Sequence, residues 1–276
     1  MISTRLPTYF ISHGGGPWPY VPQMRLAARE LELSLVDIPR QLGAAPKAIL
    51  MISAHWEEAI FTLMANRAPP MLYDYYGFPE STYAVVYAAP GSPELAARAG
   101  ALIESSGVSS RLDVERGFDH GTFCPMAVMY PDANVPTVQL SLRAGLDPAE
   151  HLALGRALAP LRDEGVLIIG SGLSYHNLGA LGPTGSAPSA AFDAWLQNTL
   201  LTANTTDRER LLIEWEKAPA ARLAHPREEH LLPLMVAVGA ANGDEGHCVY
   251  HEQAAFGNIV ASSFRFGDAV VEKNAA

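Results

Sequence analysis

Residues 48–56 read Ala48-Ile49-Leu50-Met51-Ile52-Ser53-Ala54-His55-Trp56. A short apolar run of this kind predicts a strand over Ala48–Ser53, with an imidazole delivered just past its end. The pattern recurs on both sides of it. Thr8–Ser12 is a predicted strand followed directly by His13, and Val166–Gly170 is one with His176 a few residues beyond. Further strands are expected at Ile60–Met64, Tyr83–Tyr87 and Thr137–Ser141. Helical patterns fall between and after them, at Pro93–Ser106, Pro148–Leu161, Pro188–Ala203, Asp207–Glu216 and Glu228–Ala241. Pro93 and Pro148 sit where a helix loses nothing from a missing N–H, and Ser92 and Asp147 precede them as N-caps. This order predicts an α/β fold with a central, mostly parallel (mixed) sheet flanked by helices on both faces. No repeat or low-complexity linker divides the chain, so residues 1–276 are expected to form a single catalytic domain.

Composition narrows the function. The 19 Lys and Arg against 29 Asp and Glu leave a net charge of −10, the wrong sign for a phosphate backbone as main partner. The longest apolar stretch, Leu231–Ala241, contains Pro233 and Gly239 and is well short of the ~20 residues a bilayer requires. The N-terminal apolar stretch is too short and too soon interrupted for a signal peptide. Two cysteines, Cys124 and Cys248, cannot build a disulfide framework. A cytoplasmic protein without nucleic-acid or membrane partners is expected, as a monomer or small homo-oligomer.

Nine histidines remain to be placed. His13, His55 and His176 all follow strands, so a parallel sheet would bring three imidazoles to one edge, where ligands of α/β proteins collect. His225 and His230 flank the start of a predicted helix, with Pro226 at its first position and His225 at its mouth. His120 lies in the polar turn Gly117-Phe118-Asp119-His120-Gly121-Thr122. Convergence of several neutral imidazoles suits a transition metal, and open positions on it would make the site catalytic. His151 reads as a solvated first-turn residue, and His247 and His251 as one face of a half-exposed strand. Gly14-Gly15-Gly16 lacks the spacing and lysine of a phosphate loop and reads as close backbone approach beside His13. The loop Tyr73-Asp74-Tyr75-Tyr76-Gly77-Phe78-Pro79 is either packed on the core or a wall of an aromatic pocket. Glu57 and Glu58 are either acceptors for a ligand imidazole or exposed charges. Cys124, near His120, reads as a small buried hydrophobe rather than a nucleophile.

Six ordered motifs resemble the class III extradiol ring-cleaving dioxygenases, most nearly their DOPA 4,5-dioxygenase-like branch. They are Phe10-Ile11-Ser12-His13-Gly14, Ile52-Ser53-Ala54-His55-Trp56, Tyr75-Tyr76-Gly77-Phe78-Pro79, Phe118-Asp119-His120-Gly121-Thr122, Gly170-Ser171-Gly172 running to His176-Asn177, and His225-Pro226 with His230. The resemblance implies an Fe(II) enzyme, able to hold Zn(II) instead, that opens the ring of a catechol (DOPA-like or related) with O2 to a muconic semialdehyde. It implies metal ligands at His13 and His55, with His225 as the matched third ligand, or Glu228 or Glu229 in its place. His176 matches either a further ligand or the acid/base, and His120 a catalytic histidine near substrate or oxygen. His230, Tyr76 and Trp56 are expected to contact the substrate, a small aromatic diol. Gly15-Gly16-Pro17 departs from the Ser-Pro common in the family and marks a subgroup. Arg116 or Arg227 could receive a substrate carboxylate. The competing reading is a zinc hydrolase or a non-catalytic zinc protein on the same fold.

Overall fold

The computed structural model describes residues 5–270. Eight strands form one sheet: β1 (Thr8–Ser12), β2 (Ala48–Glu58), β3 (Phe61–Met64), β4 (Ser110–Asp113), β5 (Thr137–Arg143), β6 (Val166–Gly172), β7 (Gly246–Ala254) and β8 (Ile259–Phe266). Their order is β4-β3-β5-β2-β6-β1-β8-β7. The centre, β5-β2-β6-β1, is parallel, and antiparallel pairing joins β3 to β5, β8 to β1 and β7 to β8. The mixed sheet is thus as expected, with its parallel core where the two-sided apolar runs fall.

The helices are α1 (Pro22–Ala27), α2 (Arg29–Leu42), α3 (Pro93–Ser105), α4 (His120–Met129), α5 (Pro148–Leu158), α6 (Pro183–Leu201), α7 (Thr205–Ile213), α8 (Ala221–Ala224), α9 (Leu232–Ala241) and the single irregular turn α10 (Ala255–Asn258). Alternate residues of the central strands divide the core in two. Leu50, Ile52 and Ile168 pack with residues of α3, α5 and α9. Ile49, Met51, Leu167 and Ile169 face the other way, against α2, α4 and α6. Ser92 and Asp147 cap α3 and α5 as anticipated, each accepting backbone N–H bonds of the first turn.

Three expectations are corrected. Tyr83–Tyr87 is not a strand. A 3-10 turn covers Glu80–Ala84, and the Thr82 and Val85 carbonyls are taken by the hydroxyls of Tyr75 (2.5 Å) and Tyr73 (2.8 Å) instead of a neighbouring strand. His120 is not in a turn but opens α4, a helix buried along most of its length. His151 is not solvated. Its Nδ1 donates to the Asp147 carbonyl at 2.7 Å, and its Nε2 accepts from the Arg143 N–H at 3.2 Å, joining the end of β5 to α5.

Burial, opposed by the Asp147 carbonyl, lowers the His151 pKa to about 4. The unfolded chain therefore binds the extra proton below about 6.5, and the folded one only near pH 4. Stability from this group is complete above pH 6.5 and lost as pH falls towards 4. In urea unfolding of chelator-treated protein, the gap between wild type and His151→Leu should narrow by about 2–3 kcal/mol from pH 7 to 4.5. A gap independent of pH would contradict the buried neutral imidazole.

Candidate metal centre and substrate cavity

The parallel strands end on one side of the sheet, and the histidines gather there. His13 follows β1 directly, and its N–H donates to the Gly172 carbonyl at the end of β6 (3.1 Å). Gly14 makes the turn with φ +83°, and the Trp18 indole lies where a Cβ would stand, its N–H donated to the His13 carbonyl at 2.8 Å. His55 lies within β2, not beyond it. The register against β5 breaks between Ile52 and Glu57, and this irregularity turns the imidazole into the cavity. His230 precedes α9. It reaches the sheet edge because β6 ends in glycine: a Cβ on Gly172 would lie 2.1 Å from the His230 carbonyl oxygen. The same carbonyl accepts the Leu173 N–H at 3.1 Å.

The Nε2 atoms of His13, His55 and His230 converge, with His55 Nε2 at 3.3 Å from each of the others. Two carboxylates decide which way the rings point. Asp74 Oδ1 accepts from His120 Nδ1 (2.8 Å) and from the His120 backbone N–H (3.0 Å), while its Oδ2 lies 3.3 Å from His55 Nδ1. Glu229 Oε1 accepts from His230 Nδ1 (2.8 Å) and His176 Nδ1 (2.9 Å). A proton held on Nδ1 leaves the lone pair on Nε2, directed inward.

Burial, reinforced by the neighbouring imidazoles, pushes the His13 and His55 pKa values well below the ordinary range. Burial lowers His230 to about 4 against the pull of Glu229. Burial alone would raise the Asp74 and Glu229 carboxyls, yet hydrogen bonds from their histidines hold both below the usual range. Neutral rings with ionised partners are the state in which a histidine binds metal. The inward lone pairs of His55 and His230, with Nε2 atoms 3.3 Å apart, repel unless a cation lies between them. Ligand nitrogens at ~2.1 Å from a tetrahedral ion stand ~3.4 Å apart, so the donor set fits a divalent transition metal.

The centre opens into a cavity of about 870 Å³. Its walls include Tyr75, Tyr76, Phe78, Leu173 and Phe256, with His120 and His176 beside the three converging rings. The His176 ring stacks on His230 at 3.4 Å between centroids, and His120 lies 4.0 Å from His55. The aromatic loop thus does both things its sequence suggested, packing Tyr75 inward and walling the cavity, while Tyr76 stays exposed at the rim.

Two expected site residues are elsewhere. His225 is not brought to the cluster. It ends the short helix α8, fully buried between Phe192 and Trp215, where its Nε2 donates to the Ser174 carbonyl at 3.0 Å. His230 stands in the position assigned to it. Trp56 alternates away from His55 along β2, gives its N–H to Glu58 (3.0 Å) and lies under Arg116, outside the cavity lining. Tyr76 does line the cavity, at its exposed rim. Of the two acids considered as ligands, Glu228 pairs with Arg222, and Glu229 binds the Nδ1 atoms. Glu57 and Glu58 face Arg227 and Arg111, not an imidazole. Asp74 went unnoticed as an orienting group. Only pairing across the chain places it, through the Met71–Phe118 bridge that ties its loop to the segment entering α4.

The fold and this histidine edge define an α/β protein with a possible metal site at the ends of its parallel strands. The family described as the catalytic LigB subunit of aromatic ring-opening dioxygenase matches residues 31–267, and the chain belongs to that family. It is 40% identical over 265 residues to a 4,5-DOPA dioxygenase extradiol of Beta vulgaris, covering 94% of this chain and 96% of that protein. It is 35% identical over 272 residues to the protein of the same name from Escherichia coli, covering 97% of each. A solved Escherichia coli K12 structure, described as an uncharacterised protein, matches with TM-score 0.74 and 30% identity over 95% of this chain and 100% of that one. The protein is an extradiol-type, ring-opening dioxygenase. Among the described residues, no helix is long and apolar enough to cross a membrane.

Asp74→Asn should weaken binding of a divalent metal roughly 10- to 100-fold in chelator competition, because the amide cannot accept from both histidines. His230→Ala should abolish stoichiometric binding and His225→Gln should retain it. Metal loss in His225→Gln, with the far-ultraviolet circular dichroism unchanged, would reverse the assignment.

Proposed function

We propose that the chain is a single catalytic domain that uses Fe(II) to cleave a catechol, DOPA-like or related, beside its two hydroxyls, both atoms of O2 entering a muconic semialdehyde product. The observation that carries the reading is the meeting of three inward Nε2 atoms at the floor of an aromatic cavity holding two further imidazoles. His13, His55 and His230 would hold the metal. Bound there, Fe(II) would acidify a catechol hydroxyl and gather both reactants in one shell, replacing an improbable encounter.

The remaining roles belong to side chains of this protein. His176, with Nδ1 tied to Glu229, presents Nε2 as the free nitrogen and takes the proton of the second hydroxyl. His120, oriented the same way by Asp74, would contact the substrate or oxygen. Tyr75 and Phe78, packed edge to face at 86°, wall the space for the ring, and Tyr76 closes the rim. Both cysteines are free, which suits the cytoplasmic location we assign. Zn(II) can fill an all-histidine site more tightly than Fe(II), so its presence in a preparation leaves the reading intact.

Anaerobic loading with Fe(II), followed by a panel of catechols under air, should give oxygen uptake and a yellow product, whereas Zn(II) loading should not. No uptake with any catechol would reject ring cleavage. His176→Ala should keep stoichiometric metal while kcat falls by roughly 10²- to 10⁴-fold. Loss of metal in that variant would make His176 a ligand instead.

A further inference from the structure

The charges around the cavity bear on which catechol it takes. Glu57, Asp74 and Glu229 line it, and Arg227 is the single Lys or Arg among the described lining residues. Arg227 is already committed. Both of its terminal nitrogens meet the two Glu57 oxygens at 2.6 Å, a bidentate fork, and it lies 3.5 Å from Glu229. Arg116 is turned away, over Trp56 and onto Asp119. A substrate carboxylate would enter an acidic rim and would have to break the Arg227–Glu57 fork to find a cation.

An apolar annex adjoins the same cavity. It has a volume of about 260 Å³ and is walled by Trp18, Met24, Ala28, Leu31, Tyr250 and Phe256. Its one charged side chain, Glu252, is occupied by the Tyr250 hydroxyl at 2.7 Å. Met24 and Phe256 line both spaces and form their border. Phe256 sits there in a left-handed conformation (φ 46°, ψ 32°), which a bulky residue rarely adopts and which the following Gly257 (φ 86°) helps to accommodate. The annex exceeds the ~150 Å³ of an apolar cavity that takes up a benzene ring.

We propose that the annex receives an uncharged apolar substituent carried by the catechol ring, and that the substrate class is the neutral alkyl- or aryl-substituted catechols rather than carboxylated ones. The inference rests on the ring-cleaving reading above and narrows its DOPA-like or related catechols to the related, uncharged ones. Trp18 links the two spaces, since its indole both walls the annex and braces the His13 carbonyl beside the metal centre.

The test is anaerobic calorimetry on the metal-loaded holoenzyme with catechol, 4-butylcatechol, dopamine and 3,4-dihydroxyphenylpropionate, followed by turnover of the same compounds in air. The butyl compound should bind roughly 10- to 100-fold tighter than catechol. The carboxylated compound should bind more weakly than the butyl one, and so should dopamine, whose ammonium the acidic rim can attract but the apolar annex cannot take. Ala28→Phe, which fills the annex, should bring the butyl-to-catechol ratio of Kd and of kcat/KM close to one. The wild-type series decides the matter even if that variant fails to fold. Cleavage of catechol together with a flat series, or with the carboxylated compound bound tightest, overturns the annex and leaves ring cleavage standing. Failure of every compound to bind or react overturns both.

Discussion

A buried imidazole sheds its charge, and the partner of its Nδ1 then decides where the remaining lone pair points. The centre of this protein depends on that constraint. His55 and His230 are aimed by Asp74 and Glu229, and each carboxylate serves a second ring as well, His120 and His176 respectively. The four rings are therefore oriented in two pairs, each pair joining one converging histidine to one beside the cavity. Pairing by a shared anion takes two carboxylates partly out of water, and their hydrogen bonds from the rings offset that loss.

The carboxylates in turn depend on the backbone around them. Asp74 reaches His120 because its loop is stitched to the entry of α4, with the Phe118 N–H donated to the Pro70 carbonyl (2.8 Å) and the Leu72 N–H to the Phe118 carbonyl (2.7 Å). Asp119, fully buried beside it, accepts from Ser53 at 2.8 Å and from Arg116 and Gln139, which fastens the start of α4 to β2 and β5. On the far side, the His176 N–H donates to the Ala224 carbonyl (2.9 Å) and His225 to that of Ser174, so the His176 loop is held at two points. His225 thus belongs to the scaffold, where burial lowers its pKa to about 3 against the Ser174 hydrogen bond.

What could be read in advance follows from how local each signal is. The apolar runs of β1, β2 and β6 and the Pro-led helices α3 and α5 are decided by neighbours in sequence, and they appear where expected. His13 and His55 could be placed because each closes or interrupts such a run. The helices α1 and α2 went unseen, although α2 lays Leu31, Leu35 and Ile38 against the core, because its helical face is interleaved with many charges. The half-exposed strand expected around His247 and His251 is present as β7, but its hairpin with β8 was not anticipated. β7 is mostly half-exposed and carries a bulge between Cys248 and Tyr250, so its alternation is broken. Asp74 and Glu229 carry no mark in sequence that separates them from Glu57 and Glu58, because only long-range packing chooses which acid meets a ring.

The misplaced third histidine shows the same limit at closer range. Pro226 and Pro233 both suit the first turn of a helix, and the earlier one puts His225 at the mouth. The chain uses the later one: α9 begins at Leu232, and the preceding turn holds His230. What selects that register is the fit of α9 against the sheet. A Cβ at Gly170 would lie 2.2 Å from the Pro233 carbonyl oxygen, and one at Gly172 would meet that of His230. On its other side, Gly155 and Gly239 let α5 and α9 cross with a Cβ-to-carbonyl distance of only 2.1–2.2 Å. Four glycines thus bring a helix buried on every side down onto β6, and the imidazole before it arrives at the strand edge as a consequence. The position of the His230 side chain is here set by residues that have no side chain.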